Sequence, residues 1–85
     1  MSKYTITFEK AAVKFLRKQN RSTQERLMKA IKQLPDGSDI KKLQGYEDLY
    51  RIRVGNMRIL YSVKEELKII NIENIDTRGD VYKRY

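Results

Sequence analysis

The chain's 85 residues set the scale of one domain, which at this size buries only about 60% of the surface its unfolded chain exposes, so a multidomain enzyme or a large buried cofactor site is excluded. The absence of Cys and His removes a disulfide scaffold, a thiolate nucleophile, the usual zinc sites, a serine–histidine triad and a histidine acid/base pair. Nineteen Lys and Arg against eleven Asp and Glu leave a net charge of +8, which draws a small domain to polyanions: nucleic acid, an anionic membrane surface or an acidic protein partner.

The composition is globular, and no run approaches the roughly 18 apolar residues that span a bilayer. Met1-Ser2-Lys3-Tyr4-Thr5-Ile6 lacks the apolar centre of a signal peptide, so a cytoplasmic protein with no membrane partner is expected. Along the chain, residues 4–8 (Tyr-Thr-Ile-Thr-Phe) alternate and are β-branched, which predicts a first strand. Residues 9–19 follow as a helix with Ala12, Phe15 and Leu16 on one face. Asn20-Arg21 breaks it, and Ser22-Thr23-Gln24-Glu25 reads as a capping box for a second helix. There Leu27, Ala30, Ile31 and Leu34 recur at amphipathic spacing until Pro35 stops it. Joined by about two residues, the helices should pack as a hairpin on one sheet face. Residues 36–48 read as the one long loop. Strands are then expected at 49–54, 57–63 and 67–75, followed by a short C-terminal tail or helix. The whole is an α+β fold over residues 1–85, β-α-α-β-β-β, with a helical hairpin on a mainly antiparallel four-stranded sheet.

Charge is uneven. Residues 1–34 hold nine basic and two acidic side chains, although such a run ordinarily marks only a solvated helix face. More informative is Gly55-Asn56, a two-residue hairpin loop. It sets Val54 opposite Met57, Arg53 opposite Arg58, Ile52 opposite Ile59, Arg51 opposite Leu60 and Tyr50 opposite Tyr61. One face then carries Tyr50, Ile52, Val54, Met57, Ile59, Tyr61 and Val63, ready to pack under the helices. The other gathers Arg51, Arg53 and Arg58. Like charges directly opposed in a sheet are destabilising, so folding alone does not ask for this cluster. A phosphate-binding surface does, because each guanidinium presents a planar fork of donors. The alternative is that Glu73, Asp76 or Asp80 neutralises it. The tail adds Arg78 and Tyr82, and interleaved arginine and tyrosine suit RNA.

Leu43-Gln44-Gly45, the run from Tyr50 to Tyr61 (YRIRVGNMRILY) and Arg78-Gly79-Asp80-Val81-Tyr82 together resemble the RelE/ParE superfamily of toxin–antitoxin systems, nearest its RelE branch. The resemblance covers nearly the whole chain. It implies a ribosome-dependent messenger-RNA endonuclease that cuts in the decoding A site and is silenced by a co-expressed antitoxin, and through that antitoxin alone touches DNA. Residue by residue, it assigns Arg58 to the scissile phosphate, and Arg51 and Arg53 fall where the best-known members have two lysines. Tyr82 matches a tyrosine that stacks on the substrate base or assists proton transfer, and Arg78 an arginine associated with the leaving group. Ile75-Asp76-Thr77 stands where many relatives carry Gly-His.

The implied chemistry is attack by a ribose 2′-hydroxyl on the adjacent phosphorus, giving a 2′,3′-cyclic phosphate and a 5′-hydroxyl. It needs a base, cations around the phosphorane and an acid at the leaving oxygen. Arginine suits the second role but is a poor base. Tyr82, its pKa lowered by surrounding cations, is the leading base candidate; otherwise the ribosome supplies the in-line geometry and no strong base acts. No cofactor or metal is expected, since Glu73, Asp76 and Asp80 lack a dedicated ligand spacing. The antitoxin should mask the basic face with an acidic, amphipathic segment. Two other functions fit the same chain: a ParE-like inhibitor of DNA gyrase, which would not need the arginine–tyrosine constellation, and a non-catalytic basic binding module or co-repressor.

Overall fold

Glycine at position 55 decides the geometry of the sheet. Its φ is +61°, a left-handed conformation that a primed hairpin turn requires and side chains resist. Around it the strands β3 (Leu49–Val54) and β4 (Met57–Lys64) pair in the expected register, Arg53 opposite Arg58 and Ile52 opposite Ile59. The structure is a computed structural model that describes residues 3–37 and 39–77. The tail with Arg78, Asp80 and Tyr82 lies outside the described residues. The other elements are β1 (Thr5–Phe8), α1 (Lys10–Arg17), α2 (Arg21–Gln33), β2 (Ile40–Lys42) and β5 (Ile69–Asp76).

They form a five-stranded sheet in the order β1-β5-β4-β3-β2, antiparallel except for the parallel pair β1–β5. The expected four strands become five because the long loop holds β2. That strand has one inward apolar residue, Ile40, paired with Ile52, too little pattern to stand out from a loop. The second correction is the cap. Helix α2 starts at Arg21, and Asn20 is its N-cap: the side-chain oxygen accepts from the Thr23 backbone N–H at 2.8 Å. Asn20 therefore begins this helix rather than merely breaking the first. Gln24 ties the two helices together by donating to the Leu16 carbonyl at 2.7 Å.

Helix α1 lies mainly on β5 and α2 on β3. Between them and the sheet sits one core that includes Leu27, Ile31, Ile52, Ile59, Tyr61, Ile70, Ile72 and Ile75. Each such side chain contributes about 1.5–3 kcal/mol by leaving water. A bulge in β5 keeps its isoleucines inward: the partner of Tyr61 is Ile72, while that of Leu60 is Asn74, so Glu73 is extra. Residues 72 and 75 would otherwise point to opposite faces. Asn74 repairs the interrupted ladder, its Oδ1 accepting from the Ile75 N–H at 2.9 Å. Among the described residues no helix is long and apolar enough to cross a membrane.

Tyr61 is 1% exposed and stacks on Tyr50 with ring centroids 5.6 Å apart. Burial, and then the neighbouring Tyr50, push its pKa up to about 12. Because the folded value lies above the unfolded one, the stabilisation is complete below about pH 10 and is lost as pH rises towards 12. Tyr61→Phe removes that term. Urea unfolding should show the variant gaining about 1 kcal/mol relative to wild type between pH 8 and pH 11; parallel curves would place the ring in a wetter site.

Candidate functional site

On the face turned away from the helices, the hairpin lines up its guanidiniums. Arg53 and Arg58 are direct cross-strand partners, and Arg51 stands one pair further along, opposite Leu60. Leu60 does not face the main core; with Leu49 and Leu43 it forms a small apolar floor on this side. Strand β2 adds Lys41 across from Arg51, and β5 adds Asp76 across from Arg58. At the hairpin tip the Arg26 guanidinium of α2 lies so close to Gly55 that an added Cβ would come within 2.7 Å of its Nη2. Any side chain at 55 would push this fourth arginine away.

The three predicted hairpin arginines differ in their surroundings. Arg51 is held: its Nη1 donates to the Asp39 carboxylate at 3.0 Å and to the Asp39 carbonyl at 2.9 Å, and its side chain is only 11% exposed. Arg53 is exposed and Arg58 half-buried, and among the described residues neither makes an ion pair. Two carboxylates meet the cluster: Asp76, one of the three expected, stands across from Arg58 on β5, and Asp39, from the loop before β2, pairs with Arg51, while the expected Glu73 does not take part. Glu73 is turned instead to Ser62 Oγ at 2.9 Å and Asn71 Nδ2 at 2.7 Å. Asp39 escaped the sequence reading because its reach to Arg51 depends on a left-handed backbone, φ +58°, which aspartate tolerates better than most residues. Lys41 and Arg26 were missed for a related reason: both are ordinary surface positions until β2 and α2 are docked.

Beside the row lies an open groove of about 410 Å³ lined by Lys41, Lys42, Leu43, Gln44, Arg51 and Arg53, with no acid in its wall. A larger concavity of about 530 Å³ lies between the C-terminal end of α2 and the residues before β1, with Lys68 at its edge. There Lys68 is paired with Glu65 at 3.2 Å and Glu65 also binds the Tyr4 hydroxyl at 2.8 Å, so its charge is already spent locally. The chemistry of the arginine face is therefore that of a polyanion site: two adjacent forks, neither in an ion pair among the described residues, that can grip phosphate oxygens, and a cationic trough leading away from them. Among the described residues no three carboxylates come together as metal ligands would. Arg78 and Tyr82 lie outside the described residues.

Fold and face together define a small α+β domain with a helical pair on one side of its sheet and a basic row on the other. The family model of the ParE toxin of type II toxin–antitoxin systems matches residues 6–82, and the chain belongs to that family, within the RelE/ParE superfamily. It is similar to RelE1 of Methanocaldococcus jannaschii, 42% identical over 45 residues that make up 53% of this chain; the chain spans about half the length of that curated relative. Among solved structures it resembles the archaeal RelE–RelB complex from Pyrococcus horikoshii OT3, with 30% identity, a TM-score of 0.77, and coverage of 93% of this chain and 98% of that one. The intact E. coli RelBE toxin–antitoxin complex is similar too, at 25% identity and a TM-score of 0.75, covering 89% and 98%. The chain is a type II toxin of the RelE kind.

Proposed function

We propose that this toxin cuts messenger RNA on the ribosome, by 2′-hydroxyl attack on the adjacent phosphorus. The observation that carries the reading is the Arg53–Arg58 pair, fixed face to face by the hairpin register, with Asp76 beside Arg58 on β5 but no ion pair made by either arginine among the described residues. Arg58 grips the scissile phosphate and Arg53 shares the charge that builds on its equatorial oxygens. Arg51, braced by Asp39, forms the wall of the trough along which the message runs. The resemblance adds Tyr82 as stacking partner or base and Arg78 as a cation near the leaving oxygen. Solved relatives are RelE bound to RelB, which supports a cognate antitoxin here, with an acidic amphipathic segment covering the basic face.

The reading makes a direct demand. Arginines hold the phosphate but do not align the 2′-oxygen with the leaving group, so alignment must come from the ribosome. Purified toxin should leave naked message intact at concentrations that cut ribosome-bound message, measured by primer extension. Equal cleavage in both samples would refute ribosome dependence.

A second reading follows from the matching family model, which is named for ParE: inhibition of DNA gyrase by protein contact. It needs the fold but not the arginine pair. A supercoiling assay with purified gyrase, run beside the cleavage assay, separates the two.

A further inference from the structure

We propose that an acid-rimmed groove, at the end of the sheet away from the arginines, docks a basic, leucine-bearing segment of a protein partner. The inference concerns a different surface from the endoribonuclease reading and does not depend on it.

The groove, about 480 Å³, lies between the loop that enters β3 and the turn that joins β4 to β5. Lys64 in its wall stands six positions beyond Arg58 on β4, which at about 3.3 Å per residue is roughly 20 Å from the arginine row. Tyr50 and Val63 make an apolar floor, and Leu67 stands at the side. Around them are four carboxylates against one lysine, a local excess of acid on a chain whose total charge is +8. Asp48 engages that lysine, and Glu65 is taken up by Tyr4 and Lys68. Glu47 and Glu66 are exposed and make no ion pair among the described residues.

Two features set this groove apart from an ordinary polar surface. Leu67 is 70% exposed, and Tyr46, next to Glu47, is 37% exposed; among the described residues these are the large apolar side chains left in water. Scattered singly, such residues need no explanation, but here they belong to the two segments that bound one groove with an apolar floor. The walls are also fixed. The Lys68 N–H donates to the Glu65 carbonyl at 3.3 Å and closes the turn around Leu67, while the Asp48 carbonyl accepts from the Val63 N–H at 3.0 Å. The Tyr4 hydroxyl donates to the Glu65 carboxylate at 2.8 Å. A partner meets a preformed surface and has little to order on this side.

The rim decides the occupant. Carboxylates repel a phosphate backbone, so the nucleic acid drawn to the rest of the chain is turned away here. Lysine and arginine side chains suit the groove, because their stems lie on apolar surface while their heads reach Glu47 and Glu66. A leucine between them covers Leu67 and Tyr46. Charge thus sorts partners to opposite ends of the sheet, anions to the arginine row and a cationic protein segment to the groove.

The test uses full-length toxin with isotope-labelled backbone amides and two synthetic peptides: an amphipathic one of lysine and leucine, and its counterpart with glutamate at every lysine. The lysine peptide should shift the amide signals of residues 46–48 and 63–67, and the glutamate peptide those around Arg51, Arg53 and Arg58. Glu47→Lys together with Glu66→Lys should weaken binding of the lysine peptide about tenfold or more, by turning attraction into repulsion. Leu67→Ser should weaken it by a similar factor, through lost apolar burial. All three positions are exposed, so both variants should keep the wild-type circular dichroism. Absent shifts, shifts scattered over the surface, or an unchanged affinity in either variant would overturn the proposal. So would concentration-dependent dimers of the toxin alone that Leu67→Ser abolishes, since the groove would then belong to a second copy of the chain.

Discussion

Arg58→Ala is expected to fold normally, still to bind antitoxin, and to cut ribosome-bound message about 10²–10³-fold more slowly. The stability half of this result follows from the register. Arg58 faces Arg53 on one side and Asp76 on the other, so repulsion across β3–β4 and attraction across β4–β5 largely offset. The net change should stay within about 1 kcal/mol. The activity half follows from the loss of a preorganised cation at the phosphate. Thermal unfolding and primer extension on the same preparation check both. A variant inactive because it unfolds would make Arg58 a structural residue; one that still cuts would move the catalytic face away from the hairpin.

One residue further along β4, the expectation reverses. Ile59 is fully buried and lies between Ile52 and Ile75 in a row across three strands. Ile59→Ala removes three buried carbons at the centre of the sheet, where neighbours on both sides are fixed by backbone pairing and cannot collapse into the gap. The cost should be about 2–5 kcal/mol, out of a total that for domains of this kind is only about 5–15 kcal/mol. The melting midpoint should fall by roughly 10–30 °C, since a domain of this length loses about 4–8 °C per kcal/mol. A fall of only a few degrees would show that the core is loosely packed. Adjacent positions, 58 and 59, thus separate function from stability because a strand sends them to opposite faces.

That separation was legible in the sequence. Gly55-Asn56 fixed the register, and alternation did the rest, sorting Ile52 and Ile59 inward and Arg53 and Arg58 outward. The bulge in β5 went unread in a strand expected to be regular, although Ile70, Ile72 and Ile75 cannot share a face without one. What escaped were features created by docking. Asn20 was read as a helix breaker because the same side chain that ends one helix caps the next. Strand β2 has a single inward residue and exists because β3 offers it a partner. The pairing of Arg51 with Asp39 needs both β2 in place and a left-handed residue before it, so a search for carboxylates downstream found Asp76 beside Arg58 but not the partner of Arg51. The arginine cluster was found by position, but which of its members is already engaged was a tertiary fact.

Among the described residues β1 pairs with β5 alone, and the bond from Thr7 to Asn71 joins positions 64 apart. During synthesis the hairpin carrying Arg53 and Arg58 can close as soon as it emerges, since its strands meet across two residues. The first strand must wait until the last has left the exit tunnel, an interval of several seconds at roughly 5–20 residues per second. For that time Ile6, Phe8, Phe15 and Leu16, which end up packed against the core, stay open to water and to other chains. Closure over so long a loop is intrinsically slow. The nascent chain is therefore a sticky, incomplete particle before it is a finished one.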